Sequence, residues 1–410
     1  MPKSTKMHHG GVVEIVGICM IYARRWAQIW LAIGFLWFLM AIALAPSNKI
    51  YQQGLVLFLW LPTLVLLWSA RGVLAQVWQS QRALCLALIL LLLWSALSLS
   101  WTSAADGGRE FKRLLYIAIF LLFFPLLASA GFARLIQLLQ WGGIGLGVAA
   151  LVSIIQFYIV QGHPWVARLS GIGEISHPIL GAYVIAAAIV WMLHWPPQQR
   201  WFQALWLLSL AALGAFLLLC QSRGAAFGLL ITLVAMPLWC RDRRSCVIAV
   251  CAIAAAAVGI AFMYTLIVAR GASYRPEIFQ ASLQMIALHP WTGLGLGGFY
   301  KITALGRPFD HTHNMFTHFA IEAGIPGMLL WLSVWLCVLR EIWRVRSTIF
   351  GKGLMGLWVF STLAMQFDAA SLTDTPRAEW FISWLPVGLA MALVWVHARR
   401  PGCDKISGSI

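Results

Sequence analysis

Runs of about 20 residues almost without charge recur along this whole chain, and a run of that length can cross the hydrocarbon core of a bilayer as a helix. In lipid a helix satisfies its own backbone hydrogen bonds, so such runs dictate an α-helical fold. About twelve are legible, near 26–45, 53–70, 83–100, 114–130, 137–160, 178–195, 201–220, 224–239, 246–267, 325–339, 350–370 and 378–396. With 61% of residues hydrophobic, 10% charged and a mean hydropathy of +0.83, the chain has too little polar surface to cover a water-soluble globule. The expected fold is an all-α integral membrane protein, one polytopic domain over 1–410, with about twelve transmembrane helices and one large loop, 268–325, between the ninth and tenth.

The basic residues orient this chain. Lys and Arg crowd the N-terminal tail and every second connection, as in Arg24–Arg25, Arg241–Arg244, Arg340–Lys352 and the C-terminal tail. Cytoplasmic loops retain positive charge, so both termini are expected in the cytoplasm and the long loop outside. That asymmetry, together with binding to anionic membrane lipids, accounts for the net charge of +16; no nucleic-acid partner is implied.

The 8 Cys lie in or beside apolar runs without metal-ligand spacing and read as small buried hydrophobes, with no disulfide expected. Trp26, Trp30, Trp101, Trp195, Trp201, Trp239 and Trp380 fall near run ends, where interfacial belts of indole are expected. The basic N-terminus shows no cleavage pattern, so the first run is expected to be a retained anchor.

Chemistry concentrates in the long loop. Ile278, Leu283, Ile286 and Leu288, separated by polar residues, predict an amphipathic helix lying on the membrane face and starting near Pro276, with Arg275 at its positive end. Gly293–Gly298 lacks the preceding strand of a dinucleotide fingerprint and reads as a hairpin letting backbone approach a ligand or a helix. Asp310-His-Thr-His-Asn314 follows, then a nine-residue spacer, Gly324 and Gly327. An imidazole here can move a proton near neutral pH, and upstream guanidinium groups can hold phosphate. In an extended segment His311 would point away from His313, and His318 lies more than a helical turn beyond it.

Arg223, in the short turn Gln221-Ser-Arg-Gly224, must keep its charge at the outer interface, where an ionisable residue is a functional candidate; the plainer alternative is a side chain that snorkels to headgroups. Arg270 and Arg275 admit the same alternative. Asp368 stands inside an apolar run, as a transporter would require, but no two-half repeat accompanies it.

The pattern His313-Asn314, nine residues, Gly324, two residues, Gly327 resembles the signature of the O-antigen ligases (WaaL). Arg275-Pro-Glu-Ile-Phe through His289-Pro-Trp-Thr-Gly-Leu-Gly-Leu-Gly-Gly-Phe299, and Gln221-Ser-Arg-Gly224, are similar to segments of the wider group that includes Wzy polymerases and PglL-type oligosaccharyltransferases; Phe279 stands where many relatives carry Trp. The resemblance implies a GT-C-like enzyme of the bacterial inner membrane. It would transfer polysaccharide from undecaprenyl diphosphate to a sugar hydroxyl of the lipid A–core oligosaccharide on the periplasmic face, inverting the anomeric centre, without metal or cofactor. His313 is then the expected base and Asn314 its orienting neighbour. Arg223, Arg275 and Arg270 would hold the diphosphate, and Arg168, His311, Asp368, Asp374 and Arg377 are secondary candidates. A Wzy-type polymerase or PglL-type transferase is the alternative.

Overall fold

The computed structural model describes residues 9–67, 70–270, 274–367 and 371–397, with side chains described outside 9–24, 262–270 and 396–397. The chain is a bundle of helices: α1 (His9–Leu44), α2 (Asn48–Leu67, passing through a π-type turn), α3 (Arg71–Ser80), α4 (Arg82–Ser98), α5 (Gly107–Ala128) and α6 (Phe132–Val160). There follow α7 (Leu180–His194), α8 (Arg200–Leu219), α9 (Arg223–Ala235), α10 (Arg243–Arg270), α11 (Arg275–Leu288), α12 (Met315–Arg344), α13 (Ile349–Ala364) and α14 (Trp384–Met391). The described strands form one hairpin, β1 (Ile302–Ala304) against β2 (Arg307–Phe309), with Ile302 facing Phe309.

Among the described residues, eight helices are long and apolar enough to cross a membrane, or up to nine if α3 and α4, bent by 103° at their junction, count as one. About twelve apolar runs are legible in the sequence, and the difference lies in how runs become helices. α7 and α13, of 15 and 16 residues, are apolar but short. The last run breaks into a 3-10 turn at Ala378–Phe381, α14 and the short Val394–His397. The tenth starts earlier, because α12 runs 30 residues from Met315 and takes the final residues of the expected loop into a helix.

Apolar side chains face outward along the bundle, as Val247, Val250, Ile253 and Val258 do on α10, a surface suited to lipid rather than water. Helices approach closely where residues are small: a methyl group at Gly142 or Gly145 of α6 would strike Leu39 or Met40 of α1, and at Gly147 Ser209 of α8. Trp26 and Trp201 are exposed, as a belt requires, but Trp195 and Trp380 are buried. Their indole N–H groups donate to the carbonyls of Ile349 (3.1 Å) and Asp374 (3.0 Å), which removes the reason for an indole to sit at the wet interface. Cys246 and Cys251 are exposed on α10, not buried, and the described cysteines are free thiols.

Two contacts orient the helices that matter below. Tyr183 near the start of α7 meets Phe360 near the end of α13, while Trp195, just past α7, packs on Gly353 near the start of α13. α7 and α13 are therefore antiparallel. The first residues of α7 and α12 and the last of α13 lie at one end of the bundle; His194, Trp195 and Ile349 lie at the other.

Candidate active site

α12 begins where the loop returns from its hairpin. The Asn314 side chain caps it, Oδ1 accepting from the backbone N–H groups of Phe316 (2.9 Å) and Thr317 (3.1 Å). Its Nδ2 donates to Gln366 Oε1 (2.8 Å), and the Met315 N–H donates to the Met365 carbonyl (2.9 Å), so the start of α12 is clamped to the residues just past α13. Asn314 is buried in this role. It fixes the backbone beneath His313.

His313 takes a left-handed backbone conformation, φ 54°, which costs a non-glycine residue about 1–3 kcal/mol and persists because the flanking clamp imposes it. The segment is consequently not extended. The expectation that His311 points away from His313 fails: His311 Nε2 lies 3.1 Å from His313 Nδ1, and His311 Nδ1 lies 2.6 Å from Asp310 Oδ1. Burial, reinforced by the His313 ring, lowers the His311 pKa below the ordinary histidine value, and the hydrogen bond from His311 holds the Asp310 carboxyl below the usual carboxylate range. An ionised Asp310 accepts the proton on His311 Nδ1. His311 Nε2 must then accept, so His313 donates from Nδ1. The three groups hydrogen-bond in sequence rather than around a common point. Among the described residues no group of three or more His, Cys, Asp or Glu has the arrangement to hold a metal ion.

Two of the expected phosphate ligands open helices that meet at this place. Arg223 is the first residue of α9; one turn on, Phe227 meets Phe367 edge-on (5.7 Å), directly beyond the Gln366 that holds Asn314. Arg275 is the first residue of α11. The neighbouring Tyr274 ring lies 6.0 Å from Phe309, which also meets the His313 ring edge-on at 6.2 Å, and the Arg307 guanidinium sits over Tyr274 at 5.3 Å. The starts of α9, α11 and α12 thus converge, each adding a positive helix end to a guanidinium or an imidazole. α11 covers Arg275 to Leu288, with Ile278 and Ile286 buried against Ala320 and Ile321 of α12, while Phe279, Leu283 and Leu288 face outward.

The Gly-rich turn secures this loop to α12. The Leu294 and Gly295 N–H groups donate to the carbonyls of Ile321 and Glu322 (2.8 and 2.9 Å), and the Ile325 N–H donates to the Pro290 carbonyl (2.8 Å). α12 accepts these bonds because it breaks at Gly324 (φ 70°, ψ 178°), where a Cβ would lie 2.4 Å from the Trp291 carbonyl oxygen. Gly327 packs on Trp94, whose indole N–H donates to the Ala323 carbonyl (2.8 Å).

Arg168, a secondary candidate, donates from Nε to the Cys220 carbonyl (2.7 Å), tying the 161–176 segment to the turn before Arg223. Asp374 and Arg377 are partners (3.1 Å), and Asp374 also holds Arg113 (2.8 Å), whose Nη1 reaches Glu110 (2.6 Å). The Arg270 side chain and Asp368 lie outside the described residues. Sequence reasoning missed Arg113 and the buried group beside it: Gly297 N–H donates to Glu322 Oε1 (3.1 Å), His318 Nε2 lies 3.5 Å from Glu322 Oε2, and the Tyr300 hydroxyl pairs with His318 Nδ1. A signal for Arg113 existed. Arg109, Lys112 and Arg113 are basic residues on the side that the charge pattern assigns outside, where such residues are few.

Residues 207–332, which include Arg223, Arg275 and His313, match the family described as O-antigen ligase. The chain is also similar to an O-antigen ligase of Pseudomonas aeruginosa, 31% identical over 311 residues, covering 74% of this chain and 75% of that protein.

Proposed function

Because the chain belongs to the O-antigen ligase family, transferases of lipopolysaccharide biosynthesis, we propose that it moves assembled O-antigen from undecaprenyl diphosphate to a sugar hydroxyl of lipid A–core. The reaction takes place on the periplasmic face of the bacterial inner membrane, with about twelve spans and both termini in the cytoplasm. The observation that carries this reading is the meeting of the starts of α9, α11 and α12 around the Asp310–His311–His313 relay. His313 Nε2 removes the acceptor proton as the hydroxyl oxygen bonds to the anomeric carbon. The bond from that carbon to the diphosphate breaks, and undecaprenyl diphosphate departs with the electron pair. Arg223, Arg275 and Arg270 bind the developing negative charge, which forked guanidinium donors do in bidentate fashion without a metal. A single displacement inverts the anomeric centre. Asn314 positions His313 through the backbone.

The test is the glycan of a deletion strain. Full-length polymer on undecaprenyl diphosphate beside bare core lipid, corrected by the wild-type chain and not by His313→Ala, is the expected result. Core lipid bearing a single repeat would instead make the protein a polymerase.

A further inference from the structure

Beside the turn that carries Arg223, residues 161–176 fold over the ends of α1 and α6 and border an open cleft of about 620 Å³, on which Gln156, Gln161 and His163 are exposed. It lies at the His313 end of the bundle, since Ile175 packs on Gly181 at the start of α7. Its lining is uncharged. Ser153, Gln156, Gln161, His163 and Ser170 supply the polar groups, and Phe157 a flat wall. The serines hold the loop in place: Ser153 Oγ accepts from the Ile172 N–H (3.2 Å) and Ser170 Oγ donates to the Ser176 carbonyl (2.7 Å). The side-chain amides of Gln156 and Gln161 and the ring nitrogens of His163 make no hydrogen bond among the described residues. Beside them runs an aromatic surface. His163 stacks on Phe157 (4.1 Å), Phe157 meets Tyr158 edge-on (4.9 Å), and Tyr158 carries the exposed Trp165 (4.5 Å, 11°).

This chemistry selects its ligand class. A phosphate would meet no Lys or Arg in the lining, and an acyl chain would leave the amides unpaired. Sugars present hydroxyl groups, which pair with neutral amides that both donate and accept, and C–H faces, which lie against aromatic rings. A cavity of this size is in the range of small-molecule sites, about 300–1,000 Å³. Its position is fixed relative to Arg223, because the Arg168 Nε and the Leu169 N–H donate to the carbonyls of Cys220 (2.7 Å) and Leu219 (3.0 Å). We propose that this cavity is a subsite for uncharged sugar units of the glycan substrates, and that Gln156, Gln161 and His163 determine which glycan is accepted; the assignment to a glycan substrate rests on the ligase reading.

The experiment uses the full chain in nanodiscs, with saturation-transfer NMR on two soluble probes: oligosaccharide released from lipid A–core, and oligosaccharide released from the lipid-linked donor. Binding of one probe by the wild type is expected, weakened about tenfold in Gln156→Ala/Gln161→Ala for the loss of neutral hydrogen bonds. The probe that responds identifies acceptor or donor. His163→Ala and the size-preserving Gln161→Glu should weaken the same probe, whereas His313→Ala should leave binding unchanged. In ligation the matching substrate's KM should rise by a similar factor with kcat retained. Equal binding by wild type and variants, or no binding of either probe by wild type, overturns the subsite. Probe binding that these variants weaken, in a wild-type protein that transfers nothing, keeps the subsite and removes the ligase reading.

Discussion

A histidine stands at each end of the helix bundle, and the two are used differently. His194 closes α7 with both ring nitrogens engaged: Nδ1 donates to the Val190 carbonyl (2.8 Å) and Nε2 accepts from the Trp239 indole (3.3 Å), with a methyl group at Gly356 only 2.4 Å from its ring. His313 shares its Nδ1 with a second imidazole that leads to a carboxylate. The cations differ as well. Near His194, Arg244 and Lys352 donate to the carbonyls of Leu193 (2.9 Å) and Cys240 (2.8 Å). Arg223 and Arg275 stand instead at the first positions of α9 and α11. A cavity of about 1000 Å³ is at the His194 end. A histidine locked between a carbonyl and an indole holds structure; one joined through a second imidazole to a carboxylate has the connection that the proposed proton transfer uses.

The sharpest test of that contrast exchanges the two histidines for alanine. His313→Ala should lower the ligation rate about 10² to 10⁴-fold, the usual range for a lost general base, with lipid diphosphate binding nearly intact. His194→Ala should leave the rate per folded molecule unchanged and lower thermal stability, by about 1–3 kcal/mol for partners left unsatisfied. Equal rates at matched expression would abolish the distinction.

The arginines come next. Arg223→Lys keeps charge but loses the fork, and should cost about ten- to a hundredfold in kcat/KM, as expected for a charge-assisted hydrogen bond. Arg244→Lys, at the other end, should stay close to wild type in the same assay. A comparable loss in both would show that the opposite end also takes part.

Asp310→Asn probes the relay itself. The carboxylate fixes the tautomer of His311, and removing it should slow ligation about ten- to a hundredfold, the range for losing a group that orients an imidazole. His311→Ala should act alike. The sign of the pH effect is fixed: Asp310 raises the His311 pKa against the lowering by burial and by His313, so without it His311 takes a proton only at lower pH. The acid limb of the rate profile should move downward in Asp310→Asn; an unmoved limb would take His311 out of the proton path.

The smallest effect expected is none. Arginines can offset the diphosphate charge alone, so purified enzyme should keep its rate in excess chelator. A loss restored specifically by Mg²⁺ or Mn²⁺ would contradict that.

The parts that read directly from sequence are those set by local spacing. Pro276 and Pro290 bracket α11, and of its four expected apolar positions Ile278 and Ile286 mark the face it buries while Leu283 and Leu288 are exposed. The hidden parts depend on partners far along the chain. His311 reaches His313 because Gln366 and Met365 clamp the start of α12 and force the turn at His313. Trp380 left the expected belt because the Asp374 carbonyl accepts its N–H. Arg113 is coupled to Asp374, 261 positions away, so only the unusual basic cluster around it could have drawn notice.

The Asp310 side chain is 82% exposed, although the imidazole it supports is mostly covered. In the proposed reaction this gives proton and phosphate separate exits. The acceptor's proton passes along the imidazoles toward open water, so undecaprenyl diphosphate can leave as an anion without carrying it. The base is thereby reset from the aqueous side, and regeneration of the enzyme does not wait for the lipid product to diffuse away in the membrane.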